Sequence, residues 1–585
     1  MQLISLQIHN FRGIRDFVTP IEFHEYTLLV GANNSGKSTV IDAIRAFYEK
    51  DRYRFTPERD MPKGVTGEES WIELGFELSP EEYTSLKSEY QIEPNRLVVR
   101  KYFVDLDSNR TGKIFAYIKD ANGERVLARE QFYGANNIQI GKFGQVIYIP
   151  ALSKVDDATK MSGPSALRDL ITDIVGDSIS STTAYRSLTE SINEFSQDIL
   201  QSQNPSGQSI RQLQQEINSE LGVWNINTQF AIEPPAPSEI IKNLFQLSIQ
   251  DKSHGGELAV EQFGSGFQRQ FVYTLIKMRA KYQQPATRSV TKDFQPDMTL
   301  LLFEEPEAFL HPQQQELLAR ELRKLAQNGT FQVVCSTHST NFVSRQTDDI
   351  TAIVRMQKNS QGYVRRHQIT ENQWKNILQQ NINTLQNIQD VFKNIPDSKV
   401  KLLVRTDDYQ TEMEEIKNFM FLNPERSSIF FANSVLLVEG YSEYVLIQRL
   451  FADSHISQGD SGFFALECMG KYKLLSFMRL LDALGIPHAV IHDDDQRNNS
   501  EPNTPLYNAA HAKVNQMITD AQTPHTKKIH MFSPDLEKFL KISHPGSDQR
   551  KPQHILYLYA QGQIKVDRLN EFCQIVNDCI AATRV

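Results

Sequence analysis

Acidic residues stand directly after two apolar stretches in the last third of the chain. In FFANSVLLVEGYSEYVLIQRL, residues 430–450, an apolar run typical of a buried strand stops at Glu439. Gly440 allows a tight turn, and Glu443 then falls in the first turn of a helix with apolar residues at helical spacing. In open α/β sheets the usual ligand site is the crevice outside the carboxyl ends of the strands. We therefore expect both carboxylates to face one crevice.

A second apolar stretch, GIPHAVIHDDDQ, ends in three consecutive aspartates. Alternation along the chain puts Asp493 and Asp495 on one side and Asp494 on the other. With Glu439 and Glu443 these acids would carry about four negative charges, which favours bound hard cations. Oxygen ligands select Mg²⁺ or Mn²⁺, and two such ions about 3.5–4 Å apart can activate water and stabilise the leaving oxygen of a phosphodiester.

These four acids are therefore the predicted metal ligands and catalytic residues of a nuclease site. The alternatives are a solvated acidic loop and a purely structural Mg²⁺ site. The agreement of both segments with a strand followed by a turn or helix favours the catalytic interpretation.

A phosphate-binding pattern lies near the N-terminus, in YTLLVGANNSGKSTVIDAIRAFY. An apolar strand, a glycine-rich loop and an amphipathic helix follow one another, as a P-loop requires. The predicted ATP contacts are Gly31, Asn34, Gly36, Lys37, Ser38 and Thr39. Lys37 would reach the β- and γ-phosphates, Ser38 would hold Mg²⁺, and the helix N-terminus would add its positive end.

A second acidic strand end, in MTLLLFEEPEAFLHP, fits the same nucleotide site. We expect Glu304 to orient Mg²⁺ and Glu305 to polarise the attacking water. The segment FGSGFQRQF places Ser265 and Gly266 before a helix, as a second anion cradle. FQVVCSTHSTNF is a predicted strand ending at His338, which could sense the γ-phosphate.

The strands and helices that must position these residues predict an α/β protein of several domains. With 585 residues, the chain is too long for a single hydrophobic core. None of its apolar stretches is long enough to span a bilayer. Its N-terminus has the pattern of a strand and not of a secretion signal. Four scattered cysteines fit a reducing cytoplasm. The net charge of −9 excludes a basic chain that binds nucleic acid over its whole surface, so DNA contacts must come from a local patch or through bound metal. The expected segments are residues 1–158, a helical insert 159–235, 236–355, a helical connector 356–428, and 429–585.

The first and third of these segments together resemble the ABC-type ATPase head of the SMC and RecF-like proteins. Besides the P-loop, the acids and His338, the opening IHNFRGI carries Asn10 and Arg12, which match the first-strand motif of that family. The resemblance implies that both residues contact the nucleotide. The resemblance implies that two heads sandwich ATP, with the Ser265-Gly266 signature of one facing the P-loop of the other. The signature lacks the usual Leu-Ser-Gly-Gly order. The insert is Ser/Gln-rich and non-heptad, so we expect a compact helical dimerisation module instead of a coiled-coil arm.

The C-terminal segment is similar to the Toprim domain, a Rossmann-like parallel sheet. Glu439-Gly440 with Glu443 matches its first motif, and Asp493-x-Asp495 matches its DxD motif. With an ATPase head in front, the whole chain resembles the OLD (overcoming lysogenisation defect) family.

That resemblance implies two later site residues. FSPDLEKFL offers Ser533, Asp535 and Glu537 for a serine/acid pair, of which Glu537 is preferred. DQRKPQH offers Lys551 to neutralise the phosphate, in competition with Arg550 and Lys538. A solvated loop lysine is the alternative for Lys551.

The function expected from this layout is an ATP-regulated, metal-dependent DNA endonuclease or nickase, in the cytoplasm and acting in prokaryotic anti-phage defence. The expected partners are DNA, a second copy or more of the chain, and either a helicase-like protein, as in Gabija systems, or a reverse transcriptase with its multicopy single-stranded DNA, as in retrons. One alternative is an ATP-dependent DNA clamp that does not cut. Another is strand passage or primer synthesis, but no additional breakage domain surrounds any tyrosine.

Overall fold

The computed structural model describes the chain with gaps. The residues outside the description are 50–52, 107–108, 135–142, 152–170, 172–178, 180, 222–226, 245–246, 251–255, 259, 283–293, 295, 297, 330, 345–346, 394, 396–422, 458–461, 498–503 and 585. The described chain divides into two compact units. The first holds Met1–Ile149, Asp293–Glu307 and His311–Val585, and the second holds Pro150–Lys292 and Ala308–Leu310.

Strands dominate the chain before residue 370. They are β1 Gln2–Phe11, β2 Ile14–Asp16, β3 Ile21–Glu22, β4 Tyr26–Val30, β5 Ser70–Glu77, β6 Arg96–Val104, β7 Ile114–Lys119, β8 Arg125–Leu127, β9 Gln145–Ile149, β10 Ile249–Gln250, β11 Glu257–Leu258, β12 Thr299–Glu304, β13 Gln332–Ser336, β14 Ile353–Lys358 and β15 Val364–Gln368. The helices up to residue 392 are α1 Lys37–Tyr48, α2 Pro57–Asp60, α3 Pro80–Ser85, α4 Thr183–Gln201, α5 Ile210–Leu221, α6 Pro237–Leu244, α7 Ser265–Tyr282, α8 Pro312–Gln327, α9 Thr340–Ser344 and α10 Glu371–Phe392.

Two sheets enclose the core of this part of the first unit. The antiparallel sheet has the order β2-β1-β5-β6-β7-β8, with β3 on β1. The second sheet has the order β15-β14-β4-β13-β12-β9 and is parallel except for the β14–β15 hairpin. Helix α1 packs its apolar face between them through Ile41, Ile44 and Phe47, which are at most 1% exposed. Burial of both faces explains the continuous apolar runs of β4, β12 and β13.

The second unit is mainly helical in its described part. Thr182 caps α4 by accepting a hydrogen bond from Tyr185 N at 3.2 Å. Helices α4 and α5 contain no buried residue among those described, and their Leu188, Phe195 and Leu213 are 40–56% exposed. Both helices carry apolar residues at helical spacing, and these three side chains lie on the exposed part of that surface among the described residues.

The predicted boundary at residue 355 is wrong, because it falls inside β14. This strand pairs with β4, and β15 extends the same sheet to Gln368. The helical connector begins only at α10, which Thr370 caps. Residues 396–422, the rest of the predicted connector, lie outside the described residues.

The C-terminal part of the first unit is a second α/β layer structure. Its strands are β16 Ser434–Val438, β17 Phe463–Glu467, β18 His488–Asp493 and β19 Thr526–Phe532, and its helices are α11 Tyr441–Ala452, α12 Lys471–Ala483, α13 Thr504–Asp520, α14 Leu536–Leu540, α15 Lys551–Ala560 and α16 Val566–Ala582. The sheet is parallel throughout, in the order β17-β16-β18-β19. The carboxyl ends of β16 and β18 are therefore neighbours. Among the described helices, none has the length and apolar character of a membrane span.

Candidate functional site

The loop between β4 and α1 has the backbone conformation that a phosphate site needs. Gly31 and Gly36 have φ of 135° and 103°, which side chains with a Cβ rarely adopt. Asn34 is exposed with φ of 61°, and Ser38 and Thr39 lie on the first turn of α1. The unbonded N–H groups of that turn provide anion-binding donors.

Lys37 is folded back into this loop. Its Nζ is 2.9 Å from the carbonyl oxygens of both Gly31 and Ala32. Burial lowers the pKa of Lys37 to about 8, although Glu305 and Glu307 oppose this shift. The predicted phosphate-binding lysine and the predicted catalytic glutamate therefore lie within electrostatic reach of one another.

The acids after β12 occupy the places that the sequence predicted for them. Glu304 accepts a hydrogen bond from the Tyr148 hydroxyl at 2.9 Å, and Glu305 follows with φ of 43°. The Nε2 of His338 is 3.5 Å from Oε1 of Glu305. Burial, and then the charge of Lys37, lower the pKa of His338. The structure thus brings Glu305, His338 and Lys37 together.

Glu307 is a residue that the sequence interpretation passed over. It is 8% exposed, and its Oε1 accepts a hydrogen bond from the backbone N–H of His338 at 2.6 Å. Burial raises its pKa. In the sequence, the only indication that Glu307 belongs to this site is its place as the third acid of EEPEAFLHP.

Asn10 and Arg12, the predicted nucleotide contacts at the end of β1, have partners within the protein. Asn10 is fully buried, and its Nδ2 donates to Glu68 at 3.1 Å. Arg12 forms ion pairs with Asp42 and with Asp60, the latter at 3.1 Å. Both side chains thus hold the segment after β1 against neighbouring elements, and Asn10 offers no surface to a ligand.

Ser265 and Gly266 begin α7 in the second unit, as predicted. A Cβ on Gly266 would lie 3.2 Å from the carbonyl oxygen of Phe309, so little space exists for a side chain there. That these residues face the P-loop of another copy stays a prediction.

Three acids converge where β16 and β18 end, and each is held by a backbone amide. Oε2 of Glu439 accepts from Asp493 N at 3.1 Å, and Oε2 of Glu443 accepts from Gly440 N at 3.1 Å. Oδ1 of Asp493 accepts from Leu536 N at 3.0 Å. The strand–turn–helix geometry inferred from VEGYSE is therefore present. Helix α14, which follows β19, supplies the third amide donor through Leu536.

Burial and mutual repulsion raise the pKa values of these acids. The pKa of Glu439 is raised to about 8, first by burial and then by Asp495. Burial, and to a lesser extent Glu537, raise the pKa of Glu443 to about 7. The pKa of Asp493 is also well above its ordinary value, because of burial and the two glutamates.

Asp495 differs from the other acids because it already has cationic partners. Lys471 Nζ is 2.9 Å from its Oδ2, and His511 Nδ1 is 3.4 Å from the same oxygen. Burial opposes ionisation of Asp495, but His511 and Lys471 outweigh it, so its pKa lies below the usual range. Lys471 is 3% exposed and was not predicted. Its signal was a lysine directly after a glycine in CMGKYK.

Asp494 points away from the cluster. Its Oδ1 accepts from Asn515 at 2.9 Å, and its Oδ2 accepts from the Ser533 hydroxyl at 3.1 Å. Ser533, one of the late candidates, therefore orients this outward acid.

Glu537 and Lys551, the preferred late acid and basic residue, lie beside one another. Lys551 Nζ is 3.4 Å from Glu537, which is 7% exposed and contributes to the raised pKa of Glu443. Asp535 instead caps α14 by accepting from Lys538 N at 2.7 Å. Lys538 and Arg550 are exposed, so Lys551 is the basic candidate that faces the acids.

The donor set suits a hard divalent cation in its chemistry. The converging atoms are carboxylate oxygens with raised pKa values, which a cation would relieve. Across the described residues, however, no group of three or more His, Cys, Asp or Glu side chains is arranged as a preformed ion site. One carboxylate oxygen of each of the three acids accepts a backbone amide hydrogen bond, so the other oxygen can bind a cation.

Fold and site together define a P-loop ATPase head joined to a Toprim domain. Residues 26–344 match the family described as "AAA domain, putative AbiEii toxin, Type IV TA system", and residues 430–495 match "Overcoming lysogenization defect protein-like, TOPRIM domain". The first match spans more than half of the chain, so the chain belongs to that ATPase family, and the second places an OLD-like Toprim domain behind it. The predicted OLD-family fold class is confirmed. An ATPase domain and a Toprim domain indicate use of a nucleotide and a divalent metal.

Three curated relatives of the chain are named as nucleases. The chain is 22% identical over 511 residues to the Old nuclease of Escherichia phage P2, covering 85% of this chain and 78% of that protein. It is 26% identical to the OLD nuclease of Thermus scotoductus, covering 44% of this chain and 42% of that protein. It is 22% identical to Endonuclease GajA of Bacillus cereus strain VD045, covering 85% of this chain and 76% of that protein.

Among solved structures, an SMC head bound to the C-terminal winged-helix domain of ScpA aligns with a TM-score of 0.36 and 16% identity. The alignment covers 64% of this chain and 99% of that one.

Proposed function

We propose that this protein is an ATP-regulated, divalent-metal-dependent DNA endonuclease or nickase, acting in the cytoplasm as an effector of prokaryotic anti-phage defence. The nuclease and endonuclease names of its relatives support the reaction. The observation that carries the proposal is the convergence of Glu439, Glu443 and Asp493, all with raised pKa values, at adjacent ends of parallel strands.

Each site residue then has a role. Glu439, Glu443, Asp493 and Asp495 would hold Mg²⁺ or Mn²⁺, two ions in the full site. When bound, such ions supply a water nucleophile and stabilise the leaving oxygen. Lys551 places a positive charge beside Glu537, where it can neutralise the phosphodiester as negative charge grows.

The nucleotide site has a corresponding division of roles. Lys37 would bind the β- and γ-phosphates, and Ser38 and Glu304 would hold the Mg²⁺ of ATP. Glu305 would orient water. His338, 3.5 Å from Glu305, is placed to respond to the terminal phosphate.

The test is cleavage of supercoiled plasmid with Mg²⁺ or Mn²⁺, using Glu439→Gln and Asp493→Asn. Both variants should reduce cleavage by at least about 10²-fold. Glu467→Gln is the matched control. Glu467 ends the neighbouring strand β17 but forms an ion pair with Arg426 at 2.7 Å instead of joining the cluster. Full cleavage by Glu439→Gln would show that the nuclease site has been assigned wrongly.

An ATP-dependent DNA clamp that does not cut is the second candidate. It is favoured by the backbone amides that each of the three acids already binds and by the missing preformed ion site among the described residues. Tight ATP-dependent DNA binding without any nicked or linear product, at any divalent metal tried, would select the clamp.

The open apolar sides of α4 and α5 support a homodimer or larger assembly built through the helical insert. Replacing Leu188, Phe195 and Leu213 with serine should lower the mass measured by light scattering. A helicase-like partner or a reverse transcriptase with its single-stranded DNA stays a proposal, and co-purification of a neighbouring gene product would decide between them.

A further inference from the structure

The β14–β15 hairpin packs directly on the P-loop. Arg355 of β14 pairs with Val30, the residue before the loop, across the parallel ladder. A Cβ on Gly31 would lie 2.2 Å from the carbonyl oxygen of Met356, and one on Gly36 would lie 2.7 Å from Val364 Cγ2. The loop backbone at Gly31 thus lies against the hairpin backbone, and the loop backbone at Gly36 lies against the Val364 side chain.

The side chain of Arg355 leaves this hairpin and enters the Toprim domain. It is 1% exposed and donates hydrogen bonds to the carbonyl oxygens of Ala432 at 2.7 Å and Leu484 at 3.1 Å. Gln357 accepts a further hydrogen bond at 2.6 Å. Within the described chain no carboxylate forms an ion pair with Arg355, and burial lowers its pKa to about 9. Its Nε has no hydrogen-bond partner among the described residues, so burying this charge costs folding free energy.

The two carbonyl acceptors belong to the elements that carry the acid site. Ala432 leads into β16, which ends next to Glu439. Leu484 directly follows α12, whose first residue, Lys471, forms the ion pair with Asp495. One guanidinium therefore fixes the starting point of the strand that presents Glu439 and the far end of the helix that presents Lys471.

A second contact reinforces this junction. The ring of His367, on β15, lies so close to Gly485 that a Cβ there would be 2.2 Å from its Cε1. Beside the hairpin, a cavity of about 600 Å³ is lined by Asn34 of the P-loop, Lys358 of the hairpin and Asn433 before β16. The hairpin is tightly packed on the P-loop and on α12, yet has free space along this side.

We propose that Arg355 is a positioning residue that links the nucleotide state of the P-loop to the geometry of the acid site. The inference rests on the proposed function and names the route of its regulation. Nucleotide binding reshapes the P-loop backbone, and Met356 follows because its carbonyl group abuts Gly31. Arg355 transmits that shift to β16 and α12, which changes the spacing of Glu439 and Asp495. Such a link is a coupling free energy between two sites.

The test compares Arg355→Gln and Arg355→Lys with Arg366→Gln. Arg366 lies on the same hairpin but donates to Thr19 O at 2.9 Å, within the ATPase part. The ratio of plasmid cleavage with and without a non-hydrolysable ATP analogue is measured, together with ATPase rate. In the wild type and Arg366→Gln this ratio should differ from one by on the order of tenfold. In Arg355→Gln it should fall to within about twofold of one, with ATPase and nucleotide-free cleavage retained.

Hydrogen exchange on the full-length wild type gives a readout that does not depend on cleavage or on a variant's folding. The analogue should change exchange in residues 432–440 and 484–486, while β19, which Arg355 does not contact, stays unchanged. Unchanged exchange in the first two segments overturns the inference, as does a full ATP response in Arg355→Gln or an equal loss in Arg366→Gln. If the wild type never cuts DNA, the proposed function fails, but the exchange result still decides whether the junction is coupled.

Discussion

Replacing Glu439 with glutamine should stabilise the metal-free protein while it abolishes cleavage. The pKa of Glu439 rises from its ordinary 4.5 to about 8 in the folded chain. Between about pH 4.5 and 8, Glu439 therefore keeps its proton in the folded state but loses it in the unfolded state. Stability of the metal-free wild type falls as the pH rises from about 4.5 to 8, since the folded state binds more protons there.

The size of the effect follows from the same numbers. At about 1.4 kcal/mol per pH unit, the penalty at pH 8 has an upper limit of roughly 4 kcal/mol, and at pH 5 roughly 1 kcal/mol. Glu439, Glu443 and Asp493 titrate as a coupled set, so the raised pKa belongs partly to the other two acids and the gain from replacing Glu439 alone lies below this limit. We expect Glu439→Gln to be about 2 kcal/mol more stable at pH 8, or about 4–8 °C in the unfolding temperature of this domain, and nearly equal to wild type at pH 5.

The assay is thermal unfolding in chelator at pH 5 and pH 8, followed by titration with Mg²⁺. Added Mg²⁺ should stabilise the wild type at pH 8 by mass action and stabilise Glu439→Gln far less. Glu467→Gln again serves as the control, because its carboxylate is paired with Arg426 and its loss should give no gain. A Glu439→Gln variant no more stable than wild type at pH 8, or equally stabilised at both pH values, would refute the electrostatic account of the site.

Three further substitutions separate structural from catalytic roles. Arg12→Ala should lower stability by about 3 kcal/mol at pH 7, because it leaves the fully buried Asp60 with one cation fewer, while nucleotide affinity measured on the still-folded protein changes little. Lys471→Met should destabilise the metal-free protein by about 2–4 kcal/mol above pH 5 by leaving Asp495 with His511 as its remaining partner, and Mg²⁺ should restore part of the loss in a melting experiment. Lys551→Met should lower the cleavage rate about 10²-fold with little change in Mn²⁺ binding measured by calorimetry, and a comparable loss of Mn²⁺ affinity would reassign it to metal-site integrity.

Local patterns were sufficient to predict which neighbouring residues of the two candidate sites lie together. The P-loop and the VEGYSE segment each consist of a strand, a turn and a helix whose residues are contiguous, so spacing alone fixes which side chains come together. The structure places Glu439 after β16 and Glu443 in the first turn of α11, as the pattern indicated.

Partners that are distant in sequence could not be found in this way. Arg12 matched a nucleotide-binding motif, but its actual partners, Asp42 and Asp60, reach it only through the packing of α1 and α2. Lys471 is a lysine at the start of a helix, and its importance becomes visible only because α12 packs beside β18. The β14–β15 hairpin was missed for a similar reason. IVRMQK has no clean alternation, and it becomes a strand by pairing with β4 on one side and β15 on the other.

The structure also changes the charge expected of the acid site. The sequence suggests about four negative charges, but in the folded metal-free chain Glu439, Glu443 and Asp493 all resist ionisation, and only Asp495 is held charged by Lys471 and His511. Protonation and amide hydrogen bonds thus take the place of a cation while the site is metal-free. Divalent metal must displace those protons, so its affinity should rise with pH across the range where the two glutamates titrate, about pH 7 to 8. Any movement that brings the carboxylates closer to Lys471 or farther from one another shifts these pKa values, and thereby the metal affinity. The shift of β16 and α12 that we propose for Arg355 is a movement of this kind.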